Sequence, residues 1–348
     1  MIIPISPIVV IFFIITFFFA SYFTVKGIRI LTKHRYIIDY PNERSLHEKP
    51  IPKGGGISIV FLTLIGFWML YIIDSSFHRV DWLIYFSLGA LLIAAISFID
   101  DIYSVRNTIR FVIHCFAAII IVWGIGYVDE LSVPFGKDVY FGIVGIILTI
   151  LFIAGLTNAY NFMDGIDGIA SLQGILAGIG WGVIGYVYTE PFILLLGLLV
   201  ASVTAGFFVH NWHPAKIFMG DVGSAFLGFV FASVTIMAFK LDPLLFYVGI
   251  LFVWPFIFDT IYTLFRRLIR GENIFIAHRS HLYQRLVIAG WNHTSVTLLY
   301  GFLSIMAWIP IGLMILDVYL WFIIMFIFPV MFFLMLVYGV SKYEKGAA

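Results

Sequence analysis

Two aspartates three positions apart, Asp164 and Asp167, stand between long apolar runs in the stretch N-A-Y-N-F-M-D-G-I-D-G. Each is followed directly by a glycine, and the nearest Lys or Arg in the chain is far away. An ionised carboxylate at the edge of an apolar run is costly unless it faces a water-filled cavity or binds something. The pair therefore indicates a functional site, and the alternative is a solvated turn between two helices.

Three more acids occur in similar settings. Asp100 and Asp101 end an apolar run in F-I-D-D, and Asp221 lies between Gly220 and Gly223 at the start of another. Negative charge at a helix C-terminus opposes the helix dipole and costs about 0.3–1 kcal/mol per exposed group. Two adjacent carboxylates also repel each other unless a cation lies nearby. Carboxylate oxygens suit Mg²⁺, with Mn²⁺ as the alternative, so we predict a divalent cation among these acids.

Basic residues that could hold a phosphate group occur in two loops. The first loop reads P-N-E-R-S-L-H-E-K-P-I-P-K-G-G-G and supplies Arg44, His47, Lys49 and Lys53. The second reads A-H-R-S-H-L-Y-Q and supplies His278, Arg279 and His281. A guanidinium presents a planar fork of donors to phosphate oxygens, and a glycine-led helix start offers free N–H groups to an anion. The alternatives are a loop that fixes membrane topology and a basic segment on the membrane surface.

The elements that position these residues are predicted to be membrane helices. The chain has 348 residues, of which 62% are hydrophobic and 11% charged, and its mean hydropathy is +1.06. These values fit a polytopic membrane protein and no soluble class. We predict a single all-α integral-membrane domain over residues 1–348 with about 11 transmembrane helices, because apolar runs long enough to cross about 30 Å of hydrocarbon recur along the chain. They cover about 5–25, 55–73, 82–99, 109–125, 140–157, 169–188, 192–209, 223–239, 244–264, 295–313 and 318–339.

The distribution of basic residues predicts the orientation of these helices. Of the 20 Lys and Arg residues, all but Arg79, Lys137 and Lys240 fall in loops on one side. The positive-inside rule places that side in the cytoplasm, with the N-terminus outside and the C-terminus inside. The five acids then lie at the cytoplasmic ends of their helices.

Three smaller features have structural interpretations. Asp259 precedes Arg266 by seven residues, about two helical turns, and an internal ion pair between them is predicted. His210 and His213 have no further Cys or His at ligand spacing, so zinc is not predicted there. The segment 128–139 has alternating apolar residues around a Pro-Phe-Gly turn, which predicts a short hairpin at the outer surface.

The acids and the basic loops together favour phosphoryl transfer, which needs a metal ion, positioned cations and in-line geometry. The membrane setting makes one substrate a lipid. A cation-coupled transporter is the main rival, but it would place its carboxylates near mid-bilayer, often in inverted repeats. An intramembrane aspartyl protease would need Gly-x-Gly-Asp, and the stretch from Phe218 to Asp221 lacks the first glycine.

Four motifs, in this order along the chain, resemble those of the polyprenyl-phosphate N-acetylhexosamine-1-phosphate transferases, glycosyltransferase family 4. They are F-I-D-D, N-A-Y-N-F-M-D-G-I-D-G, N-W-H-P-A-K-I-F-M-G-D-V-G-S and A-H-R-S-H-L-Y-Q. The resemblance implies transfer of an amino-sugar phosphate from a UDP-sugar to undecaprenyl phosphate, with release of UMP. It implies catalytic roles for Asp100, Asp101, Asp164 and Asp167, and a magnesium site at Asp221 with Asp100. The substrate-binding set is Arg44, His47, Lys49, Lys53, Asn158, Asn161, His278, Arg279 and His281.

The second basic loop distinguishes branches of this family. The sequence His278-Arg279-Ser280-His281 differs from the triple histidine of the peptidoglycan-precursor branch and from the His-x-His-His of the enterobacterial-common-antigen type. It is similar to the O-antigen initiating branch, which acts on UDP-FucNAc, UDP-QuiNAc or UDP-GlcNAc. The resemblance implies a multi-pass enzyme of the bacterial inner membrane with a cytoplasmic active site, in lipopolysaccharide O-antigen or related polysaccharide synthesis. The expected partners are UDP-N-acetylhexosamine, undecaprenyl phosphate and membrane lipids, with a homodimer as the candidate assembly and no nucleic acid.

Overall fold

The computed structural model describes residues 6–32, 38–41, 46, 50–73, 79–133, 136–273, 278–318 and 320–347. Three predicted substrate-binding residues, Arg44, His47 and Lys49, lie outside these ranges, and their assignments stay predictions. The helices are α1 (Pro7–Thr32), α2 (Gly56–Ile73), α3 (Val80–Tyr103), α4 (Asn107–Gly124), α5 (Val144–Phe162), α6 (Ile169–Val187), α7 (Pro191–Asn211), α8 (Asp221–Phe239), α9 (Leu245–Phe252), α10 (Trp254–Ile269), α11 (Leu282–Ile288), α12 (His293–Met306), α13 (Trp308–Ile315) and α14 (Trp321–Ala347). The strands are β1 (Ile38–Asp39), β2 (Ile51–Pro52), β3 (Glu130–Leu131) and β4 (Val139–Tyr140).

The architecture is an all-helical polytopic membrane protein, as predicted. In lipid the backbone groups of a span must be satisfied internally, and apolar helices do this. Within the described ranges, nine helical segments are long and apolar enough to cross a membrane, or up to 10 if a bent pair counts as one span. Each of the predicted apolar runs coincides with helix, but the run at 55–73 forms a shorter apolar helix and the run at 244–264 is broken. The described ranges therefore contain nine to ten candidate spans on length and composition, and the predicted total of about 11 stays a prediction.

Helix α8 lies at the centre of the bundle. Its apolar window is 100% buried, whereas the corresponding windows of α1 and α14 are 17% and 25% buried. Helices α3 and α5 pack on α8, and α6 packs closely on α7. A Cβ on Gly178 of α6 would come within 2.8 Å of the Gly197 carbonyl oxygen of α7, so the close packing of these two helices requires glycine at position 178. Because Asp221 is the first residue of α8, the central helix carries a predicted site residue at its end.

The span formed by α9 and α10 is bent by 74° at Val253. Pro255 lies in the first turn of α10, where its missing N–H costs no hydrogen bond. The Phe252 carbonyl at the bend accepts a hydrogen bond from Gln173 Nε2 at 2.6 Å, and the Ser304 hydroxyl donates to Gln173 Oε1 at 2.5 Å. The Phe252 carbonyl that the break leaves free of a helical partner is therefore hydrogen-bonded by a side chain. Beyond the break, α10 contacts the second basic loop through Asp259.

Two short hairpins complete the fold. Strands β3 and β4 pair antiparallel, with Glu130 opposite Tyr140, and this confirms the hairpin predicted for 128–139. Strands β1 and β2 pair in the first basic loop, with Ile38 opposite Pro52. The β1–β2 hairpin ends directly before Lys53, three residues ahead of α2, and Lys53 lies close to the start of α8.

Candidate active site

Arg110 joins acids from two different helices. One guanidinium nitrogen, Nη1, donates to Asp100 Oδ2 and lies 3.0 Å from Asp221 Oδ2. The other, Nη2, donates to Asn161 Oδ1 at 2.7 Å. The end of α3 and the start of α8 therefore meet, as the sequence predicted for their aspartates. Arg110 itself was not predicted, although it stands in the first turns of the helix after the Asp100 pair.

Asp101 binds the N-terminus of α8 from outside that helix. Its carboxylate accepts hydrogen bonds from the N–H groups of Asp221 and Val222 at 3.0 and 3.1 Å. Negative charge is favourable at this end of a helix dipole. Lys53 Nζ lies 3.1 Å from the same carboxylate. Burial alone would lower the pKa of the Lys53 ammonium, but the charges of Asp221 and Asp101 outweigh it, so the pKa is raised and Lys53 is cationic at neutral pH.

The approach of Asp101 to α8 depends on Gly220. This glycine has φ +77, and a Cβ there would lie 2.7 Å from Asp101 Oδ2. The loop before α8 is also tied to the loop before α2, because the Gly55 N–H donates to the Phe218 carbonyl at 2.9 Å and the Phe218 N–H donates to the Pro52 carbonyl at 2.8 Å. The backbone thus brings Lys53 and the start of α8 to the same Asp101 carboxylate.

The two predicted asparagines have different surroundings. Asp100, Asp101 and Asp221, with Lys53 and Arg110, form what we call the acid cluster. Asn161 belongs to it, because it accepts from Arg110 at 2.7 Å and donates to the Ser224 hydroxyl at 2.9 Å. Asn158, about one turn earlier in α5, donates to the Ala154 carbonyl at 2.7 Å and lies 2.9 Å from His114 Nδ1. The amide of Asn158 is therefore engaged inside the bundle, and its contact with substrate stays a prediction.

Asp164 lines a polar cavity of about 250 Å³ beside the acid cluster. The lining includes Asp39, Leu46, Lys53, Gly165, Ile166, Asp167, Asn211, Phe218, Gly220, Asp221, Gln284 and His293. Burial, followed by the nearby charge of Asp221, raises the pKa of the Asp164 carboxyl to about 7. Asp164 and Asp167 both line this cavity, which favours a functional site over the solvated turn.

Asp167 forms a triad with two histidines from distant segments. Asp167 Oδ2 lies 2.6 Å from His213 Nδ1 and 3.5 Å from His293 Nδ1, and it accepts the Ala215 N–H at 3.1 Å. Burial favours the neutral acid, but the hydrogen bonds from His293, His213 and Ala215 outweigh it and lower the pKa of Asp167. The three groups could in principle hold a metal ion. However, ligands of one tetrahedral zinc lie roughly 3.3 Å apart, given bonds of about 2.0–2.1 Å. The 2.6 Å separation is that of a hydrogen bond.

The backbone around Asp167 is held by two other helices. The Thr297 hydroxyl donates to the Asp167 carbonyl at 2.8 Å, and the Gly168 N–H donates to Asn211 Oδ1 at 3.1 Å. The start of α12 and the end of α7 therefore fix the central acidic motif. Sequence reasoning missed His293 because nothing local connects it to a motif 126 residues away.

The second basic loop is anchored by Asp259. An ion pair with Arg266 was predicted, but five other donors fill the buried carboxylate. They are Thr263 Oγ1 (3.1 Å), His281 Nδ1 (3.2 Å), the Leu282 N–H (2.9 Å), the Tyr283 N–H (3.2 Å) and the Tyr300 hydroxyl (2.6 Å). His281 is thus buried against Asp259, whereas Arg279 is exposed.

The loop also reaches the central acidic motif. The Tyr283 hydroxyl donates to the Phe162 carbonyl at 3.0 Å, two residues before Asp164. The His278 ring lies 5.0 Å from the His281 ring, and His278 Nδ1 is 3.0 Å from the Ser280 hydroxyl. The structure therefore brings the two histidines of H-R-S-H together at the edge of the site.

The donor set of the acid cluster suits a hard divalent cation. Asp100 and Asp221 each present an oxygen to the same Arg110 nitrogen, so two carboxylate oxygens from different helices already converge. Oxygen ligands of this kind are those that Mg²⁺ and Mn²⁺ prefer. The residues present therefore fit the predicted ion.

Comparisons with known sequences identify the family of this chain. Residues 83–239 match the family model described as Glycosyl transferase family 4. A probable undecaprenyl-phosphate N-acetylglucosaminyl 1-phosphate transferase of Bacillus subtilis is 32% identical over 82% of this chain and 81% of its own length. A decaprenyl-phosphate N-acetylglucosaminephosphotransferase of Mycobacterium tuberculosis is 28% identical over 80% of this chain and 76% of its own.

A relative from the peptidoglycan branch is also similar, over a shorter stretch. The phospho-N-acetylmuramoyl-pentapeptide-transferase of Streptococcus pneumoniae is 39% identical over 42% of this chain and 44% of its own. The match to the Bacillus relative extends over 82% of this chain and 81% of the relative, and the family model covers the helices that carry Asp100, Asp101 and Asp221. The chain therefore belongs to the polyprenyl-phosphate N-acetylhexosamine-1-phosphate transferases of glycosyl transferase family 4, and it is a phosphoglycosyl transferase.

Proposed function

We propose that this chain transfers an N-acetylated amino-sugar 1-phosphate from a UDP-sugar to undecaprenyl phosphate and releases UMP. The observation that carries the proposal is the cluster of Asp100, Asp101 and Asp221 with Lys53 and Arg110, of which Lys53 and Asp221 also line the polar cavity. Acids for a cation and cations for phosphates stand together there, as phosphoryl transfer requires. The names of the near full-length relatives support the same reaction class.

In the proposed reaction a phosphate oxygen of the lipid attacks the β-phosphorus of the UDP-sugar. The new bond joins that oxygen to the β-phosphorus, and the bond from the β-phosphorus to the bridging oxygen breaks. The bonding pair stays on that oxygen, which leaves with UMP. A lipid phosphate dianion is already nucleophilic, so the roles left to the protein are positioning and charge stabilisation.

The site residues divide these roles between them. Asp221 and Asp100 would hold Mg²⁺, or Mn²⁺ in its place, and a bound ion would supply positive charge to the diphosphate. Lys53 supplies positive charge at Asp101, and Arg110 supplies it at Asp100 and Asp221. Asp101 orients Lys53 and fixes the start of α8. Asp164 and Asp167 line the cavity that receives the nucleotide sugar.

A single displacement is preferred to a double one because the paired aspartates are already engaged. Asp100 is bound to Arg110, and Asp101 accepts two backbone N–H groups. A carboxylate that is neutralised in this way is a weak nucleophile. Phosphoenzyme labelled by the UDP-sugar in the absence of lipid acceptor would refute the single displacement.

The substrate sugar is proposed from the second basic loop and from the relatives. The H-R-S-H form of the loop favours the O-antigen initiating branch, and two near full-length relatives are named for N-acetylglucosamine. UDP-GlcNAc is therefore the first donor to test, followed by UDP-FucNAc and UDP-QuiNAc. A role in starting lipid-linked O-antigen or related surface polysaccharide follows from this choice.

The proposed location is the bacterial inner membrane, with the active site facing the cytoplasm and the N-terminus outside. The excess of Lys and Arg on one set of loops supports this orientation. The acids lie at the ends of α3 and α8 and in the loop before α6. A cation-coupled transporter would place them at mid-bilayer, so this observation favours the enzyme.

The proposal is tested with purified protein, a panel of UDP-sugars, undecaprenyl phosphate and Mg²⁺. UMP release should require all of these components and should select one sugar from the panel. A matched reaction with UDP-MurNAc-pentapeptide tests the peptidoglycan alternative. Release of UMP with that donor alone would overturn the proposed sugar class, and no release with any donor would overturn the reaction.

A further inference from the structure

The most highly coordinated carboxylate among the described residues belongs to Asp259, which lies outside the acid cluster. Its side chain is 0% exposed. Oδ1 accepts from Thr263, His281 and Leu282, and Oδ2 accepts from Tyr283 and Tyr300. A carboxylate offers about four lone-pair sites on two oxygens, whereas an amide offers one accepting oxygen. The arrangement therefore requires the acid.

Three of the five donors belong to the second basic loop. The N–H groups of Leu282 and Tyr283 and the ring of His281 all point to Asp259. Gln284 completes the turn by accepting the His281 N–H at 3.2 Å. These contacts fix the backbone directly after H-R-S-H and leave His281 one orientation, because its Nδ1 faces the carboxylate.

The same contacts continue to the central acidic motif. The His281 ring stacks on the Tyr283 ring, with centroids 5.8 Å apart and planes at 22°. The Tyr283 hydroxyl binds the Phe162 carbonyl and packs against Gly165, where a Cβ would collide with that hydroxyl. Gly165 follows Asp164 directly. A chain of contacts thus leads from Asp259 through Tyr283 to the cavity.

We propose that Asp259 is a positioning residue for the UDP-sugar site. It holds His281 and Tyr283, and through them it sets the second basic loop against the loop that carries Asp164. This inference rests on the proposed function in one respect, namely that the loop contacts the nucleotide sugar. Burial of a charge is expensive when hydrophobic packing would serve for stability alone. The acid is therefore assigned to the geometry of the loop.

The test compares Asp259→Asn with two controls that remove other buried polar groups. Thr263→Val deletes one donor to Asp259 and leaves every loop contact in place. Gln173→Met deletes a buried amide at the bend of the same broken span, away from the loop. Each variant is assayed for both KM values, kcat and Tm. Hydrogen exchange is followed at the amides of Leu282 and Tyr283.

Asp259→Asn should raise the KM for the UDP-sugar at least about tenfold, the effect of losing a hydrogen bond to a charged group. The KM for undecaprenyl phosphate should stay within about twofold, and the two loop amides should exchange faster. Thr263→Val should keep parent kinetics and parent exchange. Gln173→Met should lower Tm without changing the KM for the UDP-sugar.

Three results would overturn the proposal: unchanged exchange at both loop amides, an equal rise in both KM values, or an Asp259→Asn profile that matches Gln173→Met. If Asp259→Asn does not fold, Tyr283→Phe removes the hydroxyl that joins the loop to the Phe162 carbonyl, and it should raise the KM for the UDP-sugar with the same selectivity. A parent protein that releases no UMP would instead count against the proposed function. The exchange measurement decides the positioning role in either case.

Discussion

Arg110 and Asp221 form an ion pair across the site, with Arg110 Nη1 3.0 Å from Asp221 Oδ2. The same nitrogen binds Asp100, so one guanidinium holds together carboxylates from α3 and α8. Arg110 itself lies in a third helix, α4, so neither acid finds this partner within its own helix. The pairing explains how two acids can lie together at the end of apolar helices, because each would otherwise repel the other.

Arg110→Lys should reduce kcat/KM at least about tenfold, because lysine keeps the charge but loses the planar fork that reaches three partners. The measurement is UMP release at saturating and at limiting UDP-sugar. Arg106→Lys is the matched control, since Arg106 is exposed at the start of the same helix. Parent activity in Arg110→Lys would show that the bridge has no part in the reaction.

Asp221→Asn keeps the side-chain volume and removes the charge. If Asp221 holds the divalent ion, turnover should fall at least about 10²-fold, the range for losing one electrostatic element of a transition state. The activity should be measured over a series of Mg²⁺ concentrations, with Asp129→Asn, an exposed acid in the other set of loops, as the control. Near-parent turnover at ordinary Mg²⁺ would refute the ligand assignment.

The raised pKa of Asp164 makes a prediction about stability. The folded protein holds a proton on this carboxyl up to a pKa of about 7, whereas an unfolded Asp loses it near its ordinary pKa of 3.8. Folding stability is therefore lost as pH rises from about 4 to 7 and stays level above. The Tm advantage of Asp164→Asn over the parent should grow across that window and then become constant. An advantage that shrinks with rising pH would contradict the assignment.

Arg279→Lys tests the predicted grip of the second basic loop on the diphosphate. Loss of one charge-assisted hydrogen bond should weaken transfer by about 1.5–3 kcal/mol, seen as a higher KM for the UDP-sugar. Lys345→Ala, near the C-terminus, serves as the control and should have no effect. If Arg279→Lys keeps the parent KM, the loop is a membrane-surface segment, and the grip comes from Arg44, Lys49 or Lys53.

The sequence predicted those parts of the molecule that depend on local pattern. Apolar runs identified the helices, and the setting of Asp100 and Asp221 at helix ends identified a charged site, because such placements are costly. Arg110 could have been found, since it lies ten residues after Asp100 in the next helix. A short turn between two helices would return it to the same end of the bundle.

Contacts between distant segments could not be predicted in this way. The partners of Asp167 come from the loop after α7 and from the start of α12, and those of Asp259 from three helices. Asp259 was assigned to Arg266 because the spacing fits two turns of one helix. The bend at Val253 and the entry of the second basic loop supply other donors, and neither leaves a local signal around Asp259.

The central claim is that a sugar phosphate, and not a sugar alone, moves to the lipid. The most direct measurement uses UDP-GlcNAc, or the donor selected from the panel, labelled in its β-phosphorus. After incubation with the protein, undecaprenyl phosphate and Mg²⁺, the label should enter the organic phase on the lipid while unlabelled UMP appears in water. Label that stays in the aqueous phase, as UDP or as free sugar phosphate, would contradict the account.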